Sequence, residues 1–303
     1  MAEGTLSEVI LDGVVVVDKP EGLTSHDVVN RMRRLANTRR VGHLGTLDPM
    51  ATGVLPLMLG RATRLAQFFS SAEKTYQAVV QFGWSTDTYD REGSRTSEPV
   101  MPRFTRAELE ASLNHFRGSF KQTPPPFSAK KVAGKPAYRL ARKNIPVELA
   151  PVEVRVLALD LGEFDGTTAQ ISVRCSAGTY LRAIAHDLGR ELGCGAFLTS
   201  LRRTASGEFS EGQSLSLGAL EELASRGVLD QSLIPASRLL PNIPNATVDV
   251  LTAGQIRHGK DFHLSPFVER AGSKFVKAVS AEGDLIAIGE ARLPNLYHPV
   301  LVL

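Results

Sequence analysis

At 303 residues the chain exceeds the usual size of a single domain, so one large domain with one small one is expected. Its 43% hydrophobic and 22% charged residues are those of a soluble globular protein, and no apolar run approaches the roughly 20 residues needed to span a bilayer. The net charge of +3 is modest, the acidic N-terminus "MAEGTLSEVILDG" is unlike a secretory leader, and Cys175 and Cys194, in no metal-type spacing, suit a reducing cytosol; a cytoplasmic protein is expected.

"GVVVVDKP" (13–20) reads as a buried strand stopped by Pro20. "TSHDVVNRMRRLANT" follows as a helix, opened by Thr24 with Asp27 three residues on. Its stripe of Val28, Val29, Met32 and Leu35 leaves Arg31, Arg33 and Arg34 mostly outside. "GVLPLMLG" predicts a strand and "RATRLAQFFSSA" a short helix. In "KTYQAVVQFGW" the residues Tyr76, Ala78, Val80 and Phe82 alternate with Thr75, Gln77, Val79 and Gln81, the period of a strand, which gives Tyr76 apolar neighbours on its own face. "TRAELEASLNHFRG" predicts a helix capped by Thr105 and Glu108 and stopped by Gly118. The proline- and cation-rich stretch that follows, from Lys121, predicts a long functional loop with only a short helix near 136–143. "VEVRVLALDL" and "TTAQISVRCS" are strands, "GTYLRAIAHDLGRELG" is a helix with Leu181, Ile184, Leu188 and Leu192 on its inner stripe, and "SLGALEELASRG" is another helix. Beyond the linker "IPASRLLPNIPN", the segments "ATVDVLTAGQIRHGKDF", "KFVKAVSAEGDLIAIGEARL" and "YHPVLVL" read as short strands with glycine turns, a small β module of about 60 residues. Strands do not alternate strictly with helices, so the class is α/β in the mixed, α+β sense, with a largely antiparallel sheet.

Charge is distributed unevenly. Residues 28–47 hold Arg31, Arg33, Arg34, Arg39 and Arg40 without an acid, and residues 121–147 hold Lys121, Lys130, Lys131, Lys135, Arg139, Arg142 and Lys143, again without one. Either run alone suits a solvated face; two of them favour a polyanion, whose phosphates would shed counterions on binding. The histidines form no metal-type cluster, and neither a phosphate loop, a G-x-G-x-x-G fingerprint nor a G-x-S-x-G elbow occurs. Metal chemistry, nucleotide hydrolysis, dinucleotide redox chemistry and serine hydrolysis all lose support, and "TSHD" (24–27) is explained by helix capping.

One acid stands apart. Asp48, in "GHLGTLDPMATGVLP" (42–56), is the sole carboxylate between Asp27 and Glu73. Asp before Pro49 is a common turn starter, and from residue type alone capping is the better account. Gly42, Gly45 and Gly53 around it permit the close backbone approach a tight ligand site needs, and an aspartate among apolar groups stays ionised only beside a cation. Glycoside hydrolysis is disfavoured because this segment supplies a single carboxylate with no acid partner nearby.

The stretches "VDKPEGLTSHDVV" (17–29), "GHLGTLDPMATGVLP", "KTYQAVVQFG" (74–83), and "SAGTYLRAIAHDLG" (176–189) with "LRRTASGEF" (201–209) together resemble the TruB family of bacterial tRNA pseudouridine synthases. "PPPFSAKKVAGKPAYRLAR" is similar to that family's RNA-gripping thumb, and the last 60 or so residues more weakly resemble a PUA-type RNA-binding module. The resemblance implies a pseudouridine-synthase core over residues 1–243, with one central mixed sheet, flanking helices and the thumb at about 121–150, then a PUA-like β domain over 244–303. It implies isomerisation of a T-loop uridine of tRNA after the base is flipped out, with no metal or other cofactor, no membrane and no obligatory protein partner. Asp48 would be the essential carboxylate and Arg182 its pairing cation. Tyr76 would stack on the target base and assist proton removal at C5; as a strand tyrosine it would otherwise be taken for core. Tyr180 and Leu201 would line the pocket, Lys19 and Pro20 would support it, and His43 would fill the space the base leaves. Lys130, Lys131 and Lys135 would meet the tRNA. The isolation of Asp48 fits this scheme, since a second carboxylate would repel RNA and compete for the single arginine. A guide-RNA-dependent relative working within a ribonucleoprotein and a non-catalytic RNA-binding or RNA-folding protein are the rival readings.

Overall fold

The valine run forms β1 (Gly13–Lys19), and its burial explains its composition. Val15 and Val17 point into one core cluster and Val14 and Val16 into another, so both faces of the strand are covered and alternation with polar residues is lost. The computed structural model describes residues 11–128, 130–132, 134–141, 143, 145–146, 148–265 and 273–303.

After β1 come α1 (Ser25–Leu35), β2 (Val41–His43), β3 (Thr52–Leu59), a 3₁₀ segment (Gly60–Phe69) and β4 (Lys74–Phe82). Then follow α2 (Arg106–Leu113), β5 (Gly118–Gln122), a hairpin of β6 (Lys131–Val132) and β7 (Lys135–Pro136), α3 (Ala137–Ala141), β8 (Val152–Phe164) and β9 (Thr168–Cys175). The rest of the large domain holds α4 (Leu181–Glu191), β10 (Ala196–Ser206), the short strands β11 (Phe209–Ser210) and β12 (Leu215–Ser216), α5 (Leu217–Ser225) and β13 (Ile234–Pro235).

The central sheet runs β12-β1-β3-β10-β4-β9-β8-β5, with β2, β11 and β13 attached. It is mixed and mostly antiparallel; among its own described strands only β1–β12 and β3–β10 pair in parallel. On one face lie α1, α2, α4 and α5, joined through Val28, Met32, Leu113, Ile184 and Leu220. On the other lie the 3₁₀ segment, through Leu65 and Phe69, and a second sheet. Both expected capping boxes are present, Thr24 with Asp27 and Thr105 with Glu108.

The C-terminal β domain is a five-stranded sheet in the order β14-β16-β17-β18-β15, from β14 (Asn245–Thr247), β15 (Phe262–His263), β16 (Phe275–Val279), β17 (Leu285–Leu293) and β18 (Leu296–Val302). Val279, Leu285, Ile288 and Leu301 share a core cluster with β1 and β3, so the two sheets are packed together. Two expectations from the sequence are corrected here. The segment after Asp249, which reads as strand, contains α6 (Val250–Arg257), and Asp249 caps it by accepting from the Thr252 N–H at 2.7 Å. The segment 196–206, for which the sequence pattern predicts no element, is the long β10 at the centre of the sheet.

Candidate active site

The isolated carboxylate lies in the loop between β2 and β3, and buried polar groups hold that loop from below. Lys19, at the end of β1, is fully buried and donates to the carbonyls of Pro20 at 2.9 Å, Leu23 at 2.6 Å and Pro49 at 3.1 Å. Burial pushes its pKa down to about 8, with Asp48 opposing the shift. Ser25 binds both polar groups of Leu47, accepting from its N–H at 2.8 Å and donating to its carbonyl at 3.1 Å. Gly53 is required just after the loop: its φ is +97°, and a Cβ there would lie 2.2 Å from the Arg203 carbonyl. Gly42, by contrast, has open space at its Cβ position and needs no such account.

The partner cation comes from the far side of the sequence. Arg182 sits in the first turn of α4, 3% exposed. Its Nε donates to Asp48 Oδ2 at 2.9 Å and its Nη2 to Asp48 Oδ1 at 3.0 Å, a two-point grip on the carboxylate. Nη1 donates to the Thr88 carbonyl at 2.8 Å and Nη2 also to the Phe127 carbonyl at 2.9 Å. A buried cation at a helix N-terminus opposes the helix dipole; these acceptors offset that. The α4 start is itself fixed by Gln122 of β5, whose side chain accepts from the Tyr180 N–H at 2.9 Å and donates to the Tyr180 carbonyl at 3.0 Å.

Asp48 and Arg182 open into a cavity of about 320 Å³ that also includes Lys74, Tyr76, Ser128, Tyr180, Leu201 and Arg203 in its wall. Tyr76 points inward from β4, opposite Arg203 in the β4–β10 register. Burial raises the pKa of its phenol, with the Arg203 guanidinium pulling the other way. Arg203 is 1% exposed and donates to the carbonyls of Val54 at 2.7 Å, Gly45 at 3.1 Å and Thr46 at 3.5 Å, tying the Asp48 loop to β10. The Asp48 side chain is 33% exposed, open enough to meet a ligand.

Of the residues singled out in the sequence, the fold brings Asp48, Tyr76, Tyr180, Arg182 and Leu201 to one cavity wall. Lys19 and Pro20 lie beneath the loop rather than in the wall. His43 is on β2, outside the wall, and burial and nearby Arg203 lower its pKa. Lys130 is exposed at the root of the β6–β7 hairpin; Lys131 and Lys135 are on its two strands, but their side chains, like the whole of Arg142, lie outside the described residues. Cys175 and Cys194 are both free thiols.

The site also corrects the expectation of a single carboxylate. Asp90, 3% exposed, places Oδ2 3.6 Å from Arg182 Nε. Thr88 Oγ1 donates to it at 2.5 Å and the Glu92 N–H at 3.0 Å, while burial raises its pKa. Nothing in "TDTYDREG" distinguishes this aspartate from its neighbours. Lys74 and Arg203 lie within the motifs quoted above, yet their types and spacing alone signal no role; Lys74 is two residues before Tyr76 and so on the same strand face.

Comparison with known proteins bears on this arrangement. Residues 33–181 match the family model "TruB family pseudouridylate synthase (N terminal domain)", and residues 182–241 match "tRNA pseudouridylate synthase B C-terminal domain". The chain is 58% identical over 293 residues to the tRNA pseudouridine synthase B of Solibacter usitatus, covering 97% of this chain and 100% of that one. It is 41% identical to the protein of the same name from Dechloromonas aromatica, covering 95% and 94%. Among solved structures, a Cbf5-Nop10-Gar1 complex matches with TM-score 0.69 at 26% identity, over 94% of this chain and 80% of that one. An H/ACA ribonucleoprotein bound to a substrate RNA containing 2′-deoxyuridine matches in fold, with TM-score 0.70 at 24% identity, over 97% and 85%.

Proposed function

The chain belongs to the TruB family of pseudouridylate synthases, and from that membership and the geometry of the cavity we propose that it converts a T-loop uridine of tRNA to pseudouridine at Asp48. It is a tRNA pseudouridine synthase, an isomerase. The observation that carries the assignment of the site is the two-point Arg182–Asp48 pair opening into a cavity that also presents Tyr76.

The pairing fixes both oxygens of Asp48 while leaving the side chain accessible, as attack at C1′, addition at C6 or removal of the C2′ proton would each require. The reaction breaks the bond from C1′ to N1 and makes one from C1′ to C5, and neither atom can reach an aspartate in a wall cavity while the base remains stacked in its loop. The target is therefore flipped into the cavity, where Tyr76 stacks on it and Tyr180 and Leu201 close around it. The cationic run through Lys130, Lys131 and Lys135 grips the tRNA backbone, with Phe127 and Ser128 at its root beside the bound nucleotide. The C-terminal sheet acts as a PUA-type RNA-binding module that extends the interface. The protein acts on tRNA alone, without a guide RNA or protein partner.

Pseudouridine mapping after incubation of unmodified tRNA with the purified protein tests this. Wild type is expected to modify one T-loop uridine, and Asp48→Asn to bind the tRNA but leave it unmodified. Product that appears only with a guide ribonucleoprotein, or persists in Asp48→Asn, would refute the reading.

A further inference from the structure

The cavity has two ends of opposite character. At one end Asp48 is neutralised by Arg182, with Asp90 behind it. At the other stand Lys74 and Arg203, and among the described residues no carboxylate oxygen lies within the 4.0 Å of an ion pair from either. Arg203 is occupied by three backbone carbonyls. Lys74 is different: its ammonium donates to the Ala72 carbonyl, leaving two of its three donors without an acceptor among the described residues. It is 9% exposed, so little of it meets bulk water. It shares a strand face with Tyr76, two residues on, so a ring stacked on Tyr76 lies within reach of its ammonium. Gly45, held at φ +104°, lines the same end, its Cβ position in ordinary contact range of Lys74 Cε at 3.7 Å and Arg203 Nη1 at 3.5 Å. A buried cation without a counter-charge is costly, and its presence calls for an anion that arrives with the substrate.

We propose that Lys74 is a catalytic cation that binds the uracil ring as an anion once its bond to the sugar has broken. The inference rests on the reading of the cavity as the uridine site. When the bond from C1′ to N1 breaks, both electrons go to N1, and the detached ring carries one negative charge spread over N1, O2 and O4. Asp48 answers at the sugar, by bonding to C1′ or by taking the C2′ proton, and reverses that step when C5 bonds to C1′ through a ring electron pair. The C5 proton then leaves and N1 gains one, so nothing is consumed. Lys74 offers a fixed positive charge where the negative charge develops. Burial and the neighbouring Arg203 lower its pKa, which sharpens its preference for an anionic partner.

The test is single-turnover kinetics on unmodified tRNA and on tRNA carrying 5-fluorouridine at the target, for wild type, Lys74→Met, Lys74→Arg and Asp48→Asn, with thermal melting as the folding control. Lys74→Met is expected to slow loss of the glycosidic bond about 10²- to 10³-fold with uridine, with tRNA affinity unchanged. Lys74→Arg should restore part of the rate. Fluorine withdraws electrons and stabilises the detached ring, so the deficit of Lys74→Met should shrink with 5-fluorouridine. If Lys74→Met does not fold, the same comparison is made with Lys74→Arg. A normal rate, or an equal deficit on both substrates accompanied by weaker tRNA binding, would overturn the proposal, the latter marking Lys74 as a phosphate anchor. Wild type that forms no pseudouridine overturns the reading of the site and this proposal with it, whereas active wild type beside an unimpaired Lys74→Met overturns the role of Lys74 alone.

Discussion

Replacing Arg182 with lysine retains the charge and most of the stem but removes the planar fork. The guanidinium makes four donations, two to Asp48 at 2.9 and 3.0 Å, one to Thr88 at 2.8 Å and one to Phe127 at 2.9 Å. An ammonium has three donors radiating from one atom, so at least one buried acceptor loses its partner, at about 1–3 kcal/mol. At about 2 kcal/mol, a domain of this size melts roughly 4–8 °C lower. The effect on rate is larger, because Asp48 is no longer held at both oxygens. A displacement of about 1 Å in a reacting group costs on the order of 10²-fold, so Arg182→Lys should lose about that in the single-turnover rate of pseudouridine formation while binding tRNA normally. The assay is pseudouridine yield against time with enzyme in excess, read beside a thermal melt. A variant that melts lower but turns over near the wild-type rate would refute the argument, since it would show that orientation of Asp48 does not depend on the two-point grip.

Three further outcomes follow from other parts of the molecule. Joint replacement of Lys130, Lys131 and Lys135 by alanine should weaken tRNA binding and flatten its salt dependence by about 0.7–0.9 in slope for each phosphate no longer engaged, with the melting temperature unchanged; an unaltered slope in a salt titration would mark the run as solvated surface. Lys19, pushed from 10.5 down to about 8 by burial, binds its proton less tightly when folded, so wild-type stability relative to Lys19→Met should rise as pH climbs from about 8 towards 10.5, measured by denaturant unfolding; a flat difference would contradict the burial cost. Lys277 of β16 donates to the carbonyls of Ser237 at 3.0 Å and Leu239 at 2.6 Å, joining the C-terminal sheet to the linker, so Lys277→Met should destabilise the protein by about 1–3 kcal/mol; an unchanged urea midpoint would count against that weld.

What the sequence discloses and what it conceals follow from the kind of signal each residue carries. The β1 valines and the capping boxes of α1 and α2 are local patterns, and both survive folding unchanged. Helix α6 is disguised because Val250 and Leu251 look like strand residues, yet they are 83% and 81% exposed, while Ala253 and Ile256, three apart, carry the buried stripe. Strand β10 is hidden because "LRRTAS" reads as surface. Its two arginines are satisfied by partners remote in sequence, Arg203 by the Asp48 loop and Arg202 by Asp18 and Glu211. Chemistry alone does not choose Arg182 among the many arginines, and only motif resemblance singles it out.

The lone carboxylate shows the limit most clearly. Asp48 is isolated along the chain but not in space, since Asp90 shares its arginine. Competition between two carboxylates for that arginine is nevertheless limited, because the two acids are not equivalent. Arg182 grips Asp48 at both oxygens within 3.0 Å and stands 3.6 Å from Asp90. Asp90 is instead held by Thr88 and the Glu92 N–H, and burial favours its neutral form. Its side chain is 5% exposed against 33% for Asp48, so a nucleotide in the cavity can meet only one of them. The fold thus resolves by burial the competition that the sequence seemed to avoid by spacing, and it leaves Asp48 as the carboxylate of the two that faces the cavity.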